Sequence, residues 1–228
     1  MSIGFFGIFS PTAIASDFVG NKGVQFNEDT IVEFEFLKSH GAYQSSFGVI
    51  DLDTCQTGAQ NKIIFDTCEK TPLLSEVKPS DTYASVERRS SFKDDFRRAN
   101  LDFEGTPGNT VPEPLAEFFF KRGKRYAFYL ESNFNNKPVG TVYSLDFFNK
   151  KGNRQALFNQ DPSTEIVSRR NVGTEVVNNF SALTNRNGGL VIRFNDTGSD
   201  LVKENDQDLD FDDFVVGIGG YENCGCSN

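Results

Sequence analysis

Regular alternation of apolar and polar residues predicts that the chain is built mainly from β-strands. In the stretch 30–38, apolar Val32, Phe34 and Phe36 occupy every second position, which is the period of a half-buried strand. The stretch 43–52 follows the His40-Gly41 turn and is predicted to be its neighbour. Further strands are predicted at 61–66, 115–121, 125–131, 142–148, 156–158, 174–180, 189–194 and 214–218. Short strands and turns at this spacing indicate an all-β fold, a jelly-roll-like β-sandwich.

Two stretches do not follow the strand pattern. One short turn also predicts which two strands pair. Residues 84–99 have a helical period and predict one short helix, whose basic cluster is read as a solvated face rather than a binding patch. The Pro-rich stretch 106–114 is the place where two domains would divide. The short turn between 115–121 and 125–131 indicates a hairpin.

The first sixteen residues have two interpretations. An apolar run at 3–9 is followed by the small-x-small sequence Ala13-Ile14-Ala15, which is typical of an export signal near its cleavage site. A basic segment before the run is missing, so the alternative is an N-terminal strand that docks on this domain or on another copy. We favour residues 1–16 as a signal remnant and predict a secreted or cell-surface protein. No stretch is long and apolar enough to predict a membrane span.

An acidic segment before the last predicted strand is the main candidate site. Aspartates at 206, 208, 210 and 212 recur at every second position, a spacing that lets a winding loop direct oxygens at a hard cation. The donors are oxygens without His or Cys, which favours Ca²⁺. An EF-hand is excluded, because its sixth and twelfth positions hold Phe211 and Gly217. The predicted ligands are Asn205, Asp206, Asp208, Asp210, Asp212 and Asp213, with Asp196 from the turn after the preceding strand.

The alternative for this segment is a solvated acidic turn at a strand edge. Four other acids are candidate additional ligands, although a surface position is the favoured interpretation of each, since most carboxylates are exposed. They are Glu35, Asp51, Asp53 and Glu131.

Four stretches in order resemble a family of secreted bacterial domains, largely cyanobacterial, that is catalogued only as a domain of unknown function. They are 32–54, 123–133 with 142–149, 189–198, and the closing sequence DLDFDDFVV at 208–216, which carries an Asp-x-Asp-Phe-x-Asp signature. The resemblance runs through 106–114 and therefore favours a single domain at 17–228. It implies a calcium-associated β-sandwich of exported or surface proteins and no known catalytic chemistry.

Composition and net charge limit the classes of partner that the chain is expected to bind. The 24 Phe suit a strand-rich core, and the 20 Gly supply turns. A net charge of −9 argues against nucleic acid and anionic membranes, because both would repel the chain. Calcium, copies of the same chain and surface polysaccharide remain as expected partners.

The four cysteines suggest disulfides in an exported protein. We predict that Cys55 pairs with Cys68, because the two flank a predicted strand and its turn. Cys224 and Cys226 are two residues apart, and a bridge between them would be strained. Each therefore pairs elsewhere or forms an intermolecular link.

Catalysis has little support in the sequence. His40 is the only histidine and lies in a turn, so a Ser or Cys triad would depend on that one residue. We predict no enzyme, but an extracellular calcium-binding β-sandwich with a structural or adhesive role, and a subunit of an extracellular assembly as a further hypothesis. The alternative is a calcium-dependent carbohydrate-binding module, with Tyr43, Tyr83 and Tyr221 as candidate sugar-stacking residues in a chain that lacks Trp.

Overall fold

The computed structural model describes residues 17–41, 43–59, 63–77, 105–159, 176–177, 190–196 and 211–222. Fourteen strands in these ranges form two antiparallel sheets and one two-stranded ribbon, which confirms the predicted all-β sandwich. The strands are β1 (Phe18–Gly20), β2 (Gly23–Gln25), β3 (Thr30–Lys38), β4 (Gln44–Asp51), β5 (Gln56–Thr57), β6 (Ile63–Ile64), β7 (Glu69–Ser75), β8 (Leu115–Phe120), β9 (Tyr126–Phe134), β10 (Lys137–Tyr143), β11 (Ala156–Asn159), β12 (Val176–Val177), β13 (Leu190–Phe194) and β14 (Phe214–Glu222). The predicted helix at 84–99 lies outside the described residues.

The two sheets differ in size. The larger sheet has the order β12-β1-β2-β9-β4-β7, with β10 also paired to β9, and the smaller sheet has the order β11-β13-β14-β3-β8. Strands β3 and β8 pair in the smaller sheet, while their successors β4 and β9 pair in the larger one. Two consecutive strand pairs thus cross between the sheets side by side, as in a jelly roll.

Phenylalanine rings fill the space between the sheets. Phe34 and Phe36 lie on the inward face of β3, as their spacing predicts, and are fully buried. Phe47 of the larger sheet contacts rings of the smaller sheet, with centroids 5.7 Å from Phe34 and 6.4 Å from Phe214. Burying each such ring contributes about 1.5–3 kcal/mol relative to leaving it exposed. This core holds the two sheets face to face.

Two predicted pairings are wrong because the connecting turns cross between sheets. Strand β4 follows β3 in sequence but lies in the opposite sheet, so the two pack face to face rather than side by side. The predicted hairpin of β8 and β9 is also absent, since β8 pairs with β3 and β9 with β4. An alternating pattern identifies the buried face of a strand but not the sheet that it joins.

The β9–β10 hairpin was not predicted from the sequence. Asn135 and Asn136 have φ of 52° and 61° and connect the two strands. A two-residue turn with both residues at positive φ matches the twist of antiparallel strands, and Asn tolerates this conformation better than most residues. The Asn-Asn pair was therefore an available signal.

Two predicted strands are only partly correct. The stretch predicted at 61–66 contains the short strand β6 and then a 3-10 helix at Phe65–Thr67. In place of a strand at 142–148, β10 ends at Tyr143 and a 3-10 helix occupies Asp146–Phe148. Of the strand predicted at 174–180, the structure describes β12 alone.

A second hydrophobic cluster covers the outer face of the larger sheet. Its buried members are Ile50, Leu52, Cys68, Ala127, Tyr129, Tyr143 and Leu145, and Cys55, Ile63, Phe65 and Phe148 pack against them. The predicted disulfide joins Cys55 to Cys68 and closes the segment that lies over this face. Cys224 and Cys226 lie outside the described residues.

Candidate metal centre

Three segments meet at one end of the smaller sheet. Phe194 ends β13 directly opposite Phe214, which begins β14, so the residues after one strand lie beside the residues before the other. The segment after β3 completes this edge. His40 donates its backbone N–H to the Asp212 carbonyl at 3.2 Å, and Gly41 donates its own to the Asp213 carbonyl at 3.3 Å. We call Gly41, Asp196, Asp212 and Asp213 the acidic rim.

Two carboxylates of the acidic rim are buried side by side. Asp196 is 0% exposed and Asp213 is 4% exposed. The Asp196 backbone N–H donates to Asp213 Oδ2 at 2.8 Å, which fixes the Asp213 side chain against the turn that carries Asp196. Asp212 is half-buried. The structure thus brings together Asp196 and Asp213, which lie 17 positions apart in the sequence.

Gly41 makes room for these carboxylates. A Cβ at this position would overlap Asp196 Oδ2 and lie 3.1 Å from Asp213 Cβ. Side chains larger than hydrogen would therefore displace one carboxylate or the other. The sequence shows only a glycine after a histidine in a turn, so its packing role was not predicted.

Phe211, which directly precedes Asp212 and Asp213, has an unusual backbone conformation. Its φ is 62°, a left-handed conformation that is uncommon for a bulky residue and costs about 1–2 kcal/mol. The residue is buried, and its backbone N–H donates to Asn195 Oδ1 at 3.4 Å. Strained backbone of this kind persists where the surroundings hold it in place, and it is frequent at functional sites.

A further buried acid lies near the rim. Glu76 is 5% exposed and accepts hydrogen bonds from Ser39 Oγ at 2.6 Å and from the Ser45 backbone N–H at 2.8 Å. Burial raises the pKa of Glu76 from 4.5 to about 8, and the negative charge of Asp196 adds to the increase. Sequence reasoning missed Glu76, although a lone acid directly after Leu73-Leu74-Ser75 at a strand end was the available signal.

The charges of the acidic rim also affect the pKa of Tyr43. Burial raises the pKa of its hydroxyl, and the charges of Asp196 and Asp213 raise it further. Because Tyr43 is buried, its interpretation as an exposed sugar-stacking residue is wrong. Tyr83 lies outside the described residues, and so does the side chain of Tyr221.

The predicted ligands divide into two groups. Asp196, Asp212 and Asp213 lie in the acidic rim, whereas Asn205, Asp206, Asp208 and Asp210 lie outside the described residues. Among the residues that the structure describes, no group of three or more His, Cys, Asp or Glu side chains is placed to hold a metal ion. The described carboxylates alone therefore do not complete a calcium site.

The candidate additional ligands have other surroundings. Asp51 pairs with Lys124 at 2.8 Å, and Asp53 pairs with Arg125 at 2.7 Å. Glu35 is exposed on β3, and Glu131 is half-buried on β9. The structure thus does not group them with the acidic rim.

Comparison with known proteins gives no family for the chain. No family model matches it, and neither a curated protein nor a solved structure does. In the described part of the chain, no helix is long and apolar enough to cross a membrane.

Proposed function

We propose that the protein is an extracellular calcium-binding β-sandwich with a structural or adhesive role at the cell surface. The observation that carries the proposal is the burial of Asp196 and Asp213 side by side at the rim. In the sequence, this point follows directly after the acidic segment 205–210, which contains the four other predicted ligands, Asn205, Asp206, Asp208 and Asp210.

Electrostatics favours a cation at this place. Removing a carboxylate from water costs several kcal/mol unless a counter-charge compensates it, and two adjacent carboxylates also repel each other. A divalent cation offsets both effects at once. Carboxylate, amide and carbonyl oxygens are the donors that Ca²⁺ prefers, and six to eight of them form its shell.

Calcium at the rim has a mechanical consequence. The ion would tie the segment 205–213 to the Asp196 turn and so fix the ends of β13 and β14, whose pairing starts at Phe194 and Phe214. A rigid rim is a suitable surface for contacts with a neighbour. Membership of an extracellular assembly is the further hypothesis that follows from this role.

The proposal predicts that calcium stabilises the fold. A ligand at a concentration of 100 times its Kd adds about 2.7 kcal/mol, which raises the Tm of a domain of this size by about 5–10 °C. We expect this rise when thermal unfolding is followed in calcium and in EGTA. Asp213→Asn should abolish most of it, while Glu117→Gln on the exposed side of β8 should retain it. An equal Tm of the native chain in calcium and in EGTA would refute the proposal.

A further inference from the structure

Strand β8 forms an edge of the smaller sheet. In the described part of the chain it pairs with β3 alone. Directly before β8, the Pro114 carbonyl accepts the Phe36 backbone N–H at 2.8 Å. Since the residues that bond to one antiparallel neighbour alternate along a strand, Leu115, Glu117 and Phe119 direct their backbone N–H and C=O groups away from β3. Among the described residues, no other strand pairs with these groups.

The side chains of the same three residues form an exposed row. Leu115 is 70% exposed, Phe119 is 42% exposed, and Glu117 is exposed between them. Lys121 lies one position beyond β8 and is also exposed. Its backbone N–H donates to the Tyr126 hydroxyl at 3.2 Å, which holds it at the end of the strand. Apolar, acidic, apolar and basic residues thus alternate along one edge.

This edge lacks the features that usually prevent pairing with a further strand. Proline residues and β-bulges are common devices of that kind. Strand β7, at the edge of the larger sheet, contains Pro72 and shifts register against β4. Strand β8 contains no proline, and its pairing with β3 is regular over all six residues. The β8 edge is therefore suited to accept another strand.

We propose that the β8 edge pairs with β8 of a second copy of this chain. The two strands run antiparallel about a two-fold axis at Phe119, so the same surface is used on both copies. The pairing joins the five-stranded sheets of the two copies into one continuous sheet. It gives the assembly hypothesis a defined contact and does not rest on calcium.

The charge pattern selects this register. Phe119 lies opposite Phe119 of the second copy, and each Glu117 lies opposite Lys121 of the other copy. Aromatic pairs and opposite charges stabilise directly opposed positions, whereas like charges destabilise them. A pairing centred on Glu117 would oppose two carboxylates. A pairing centred on Phe118 would place each Glu117 opposite a ring instead of a cation.

The complementarity favours a copy of this chain over a different protein. Any extended strand could satisfy the open backbone groups, but β8 and Lys121 carry the matching ring and the matching charge at the required spacing. One short strand pair buries less than the about 800 Å² per partner of a standard interface. We therefore expect a reversible dimer with a micromolar Kd.

Sedimentation velocity measures the dimer. The protein is studied in EGTA at about 1–300 μM, a range that spans a micromolar Kd. Cys224→Ser with Cys226→Ser is used as the background, so that no intermolecular disulfide contributes. We expect a shift from monomer to dimer as the concentration rises. A chain that begins at Asp17 should dimerise equally.

Charge reversal tests the register. Glu117→Lys and Lys121→Glu should each weaken the dimer at least about tenfold, because like charges then oppose each other. Both changes in one chain should restore it, and an equal mixture of the two single variants should form a heterodimer. Lys137→Glu reverses an exposed lysine elsewhere and should leave the Kd unchanged.

Replacing the central ring tests the axis. Phe119→Ala should weaken the dimer about tenfold, since it removes the aromatic pair. Phe147→Ala replaces an exposed ring that lies outside β8 and should have no effect on the Kd. An unchanged Tm of each variant at a concentration below the Kd verifies folding.

Four results would overturn the proposal. The first is a monomer at every concentration. The second is a dimer that Phe119→Ala or the single charge reversals do not weaken. The third is a failure of the double reversal to restore the dimer. The fourth is a dimer that requires residues 1–16, which would assign the contact to that segment.

Discussion

Glu76 is a single residue that makes the stability of the sandwich depend on pH. Its two carboxyl oxygens accept hydrogen bonds from Ser39 and Ser45 in a place that water does not reach. Its pKa rises from 4.5 to about 8, so the folded protein keeps this carboxyl protonated at neutral pH whereas the unfolded chain does not. The resulting contribution to stability is complete below pH 4.5 and is lost as the pH rises toward 8.

Glu76→Gln should remove this dependence. The amide preserves the shape, accepts from the Ser45 N–H and donates to Ser39 Oγ, but it does not ionise. In urea unfolding with EGTA, we expect the variant to gain stability relative to the native chain between pH 4.5 and 8, by at most about 1.4 kcal/mol per pH unit. Glu117→Gln, on the exposed side of β8, is the matched control. A difference that stays constant across this range would contradict the assignment.

At the same scale, the sequence pointed to some residues of the acidic rim and missed others for a physical reason. Asp196 and Asp213, which meet at the rim, were predicted as ligands because acids that flank apolar strands are visible as a local pattern. Glu76 and Gly41 act through neighbours that are distant in sequence, Asp196 among them. Such roles depend on which strand ends meet, and spacing along the chain does not contain that information.

At the scale of the elements, the segment 55–68 has the predicted disulfide but not the predicted secondary structure. The Cys55–Cys68 pairing was predicted because the two residues flank one apolar stretch, and the bond is present. The stretch itself forms the ribbon of β5 and β6 and a 3-10 helix instead of one strand. Phe65 packs against Tyr143 and Phe148, which lie outside the segment, and spacing within the segment does not contain that contact.

Loss of the disulfide should therefore loosen the outer cluster. For Cys55→Ser with Cys68→Ser, we expect a loss of about 3 kcal/mol in the free energy of unfolding, from the added freedom of the unfolded chain. The Tm should fall by about 6–12 °C. The calcium-dependent part of the Tm should persist, because the acidic rim lies on the smaller sheet. Unchanged unfolding of the double variant would show that the bond adds no stability.

For the whole molecule, the alternating pattern predicted an all-β sandwich but not the path of the chain through it. Turns after β3 and β8 lead into the opposite sheet, although both resemble hairpin turns in sequence. The packing of side chains between the sheets shows which sheet each strand joins. Phe47 reaches Phe34, Phe194 and Phe214 of the opposite sheet only because β4 faces that sheet.

Replacing Phe47 therefore tests how much the core between the sheets contributes to stability. Phe47→Ala should cost about 3–5 kcal/mol, the usual loss for a fully buried ring. Phe147→Ala, at an exposed ring, should change the free energy of unfolding by less than about 0.5 kcal/mol. Chemical denaturation of both variants measures the contrast. Similar losses for the two would contradict the assignment of Phe47 to the shared core.

The position of β14 has a consequence for the order of events during synthesis. This strand lies between β13 and β3, so a nascent chain that has not yet extended past residue 222 leaves the middle of the smaller sheet open. Closure must then wait for translation to pass this point, since β3 emerges from the ribosome long before its partner. In that interval the edge of β3 that later pairs with β14 has no hydrogen-bonding partner, and a chaperone has time to hold the chain.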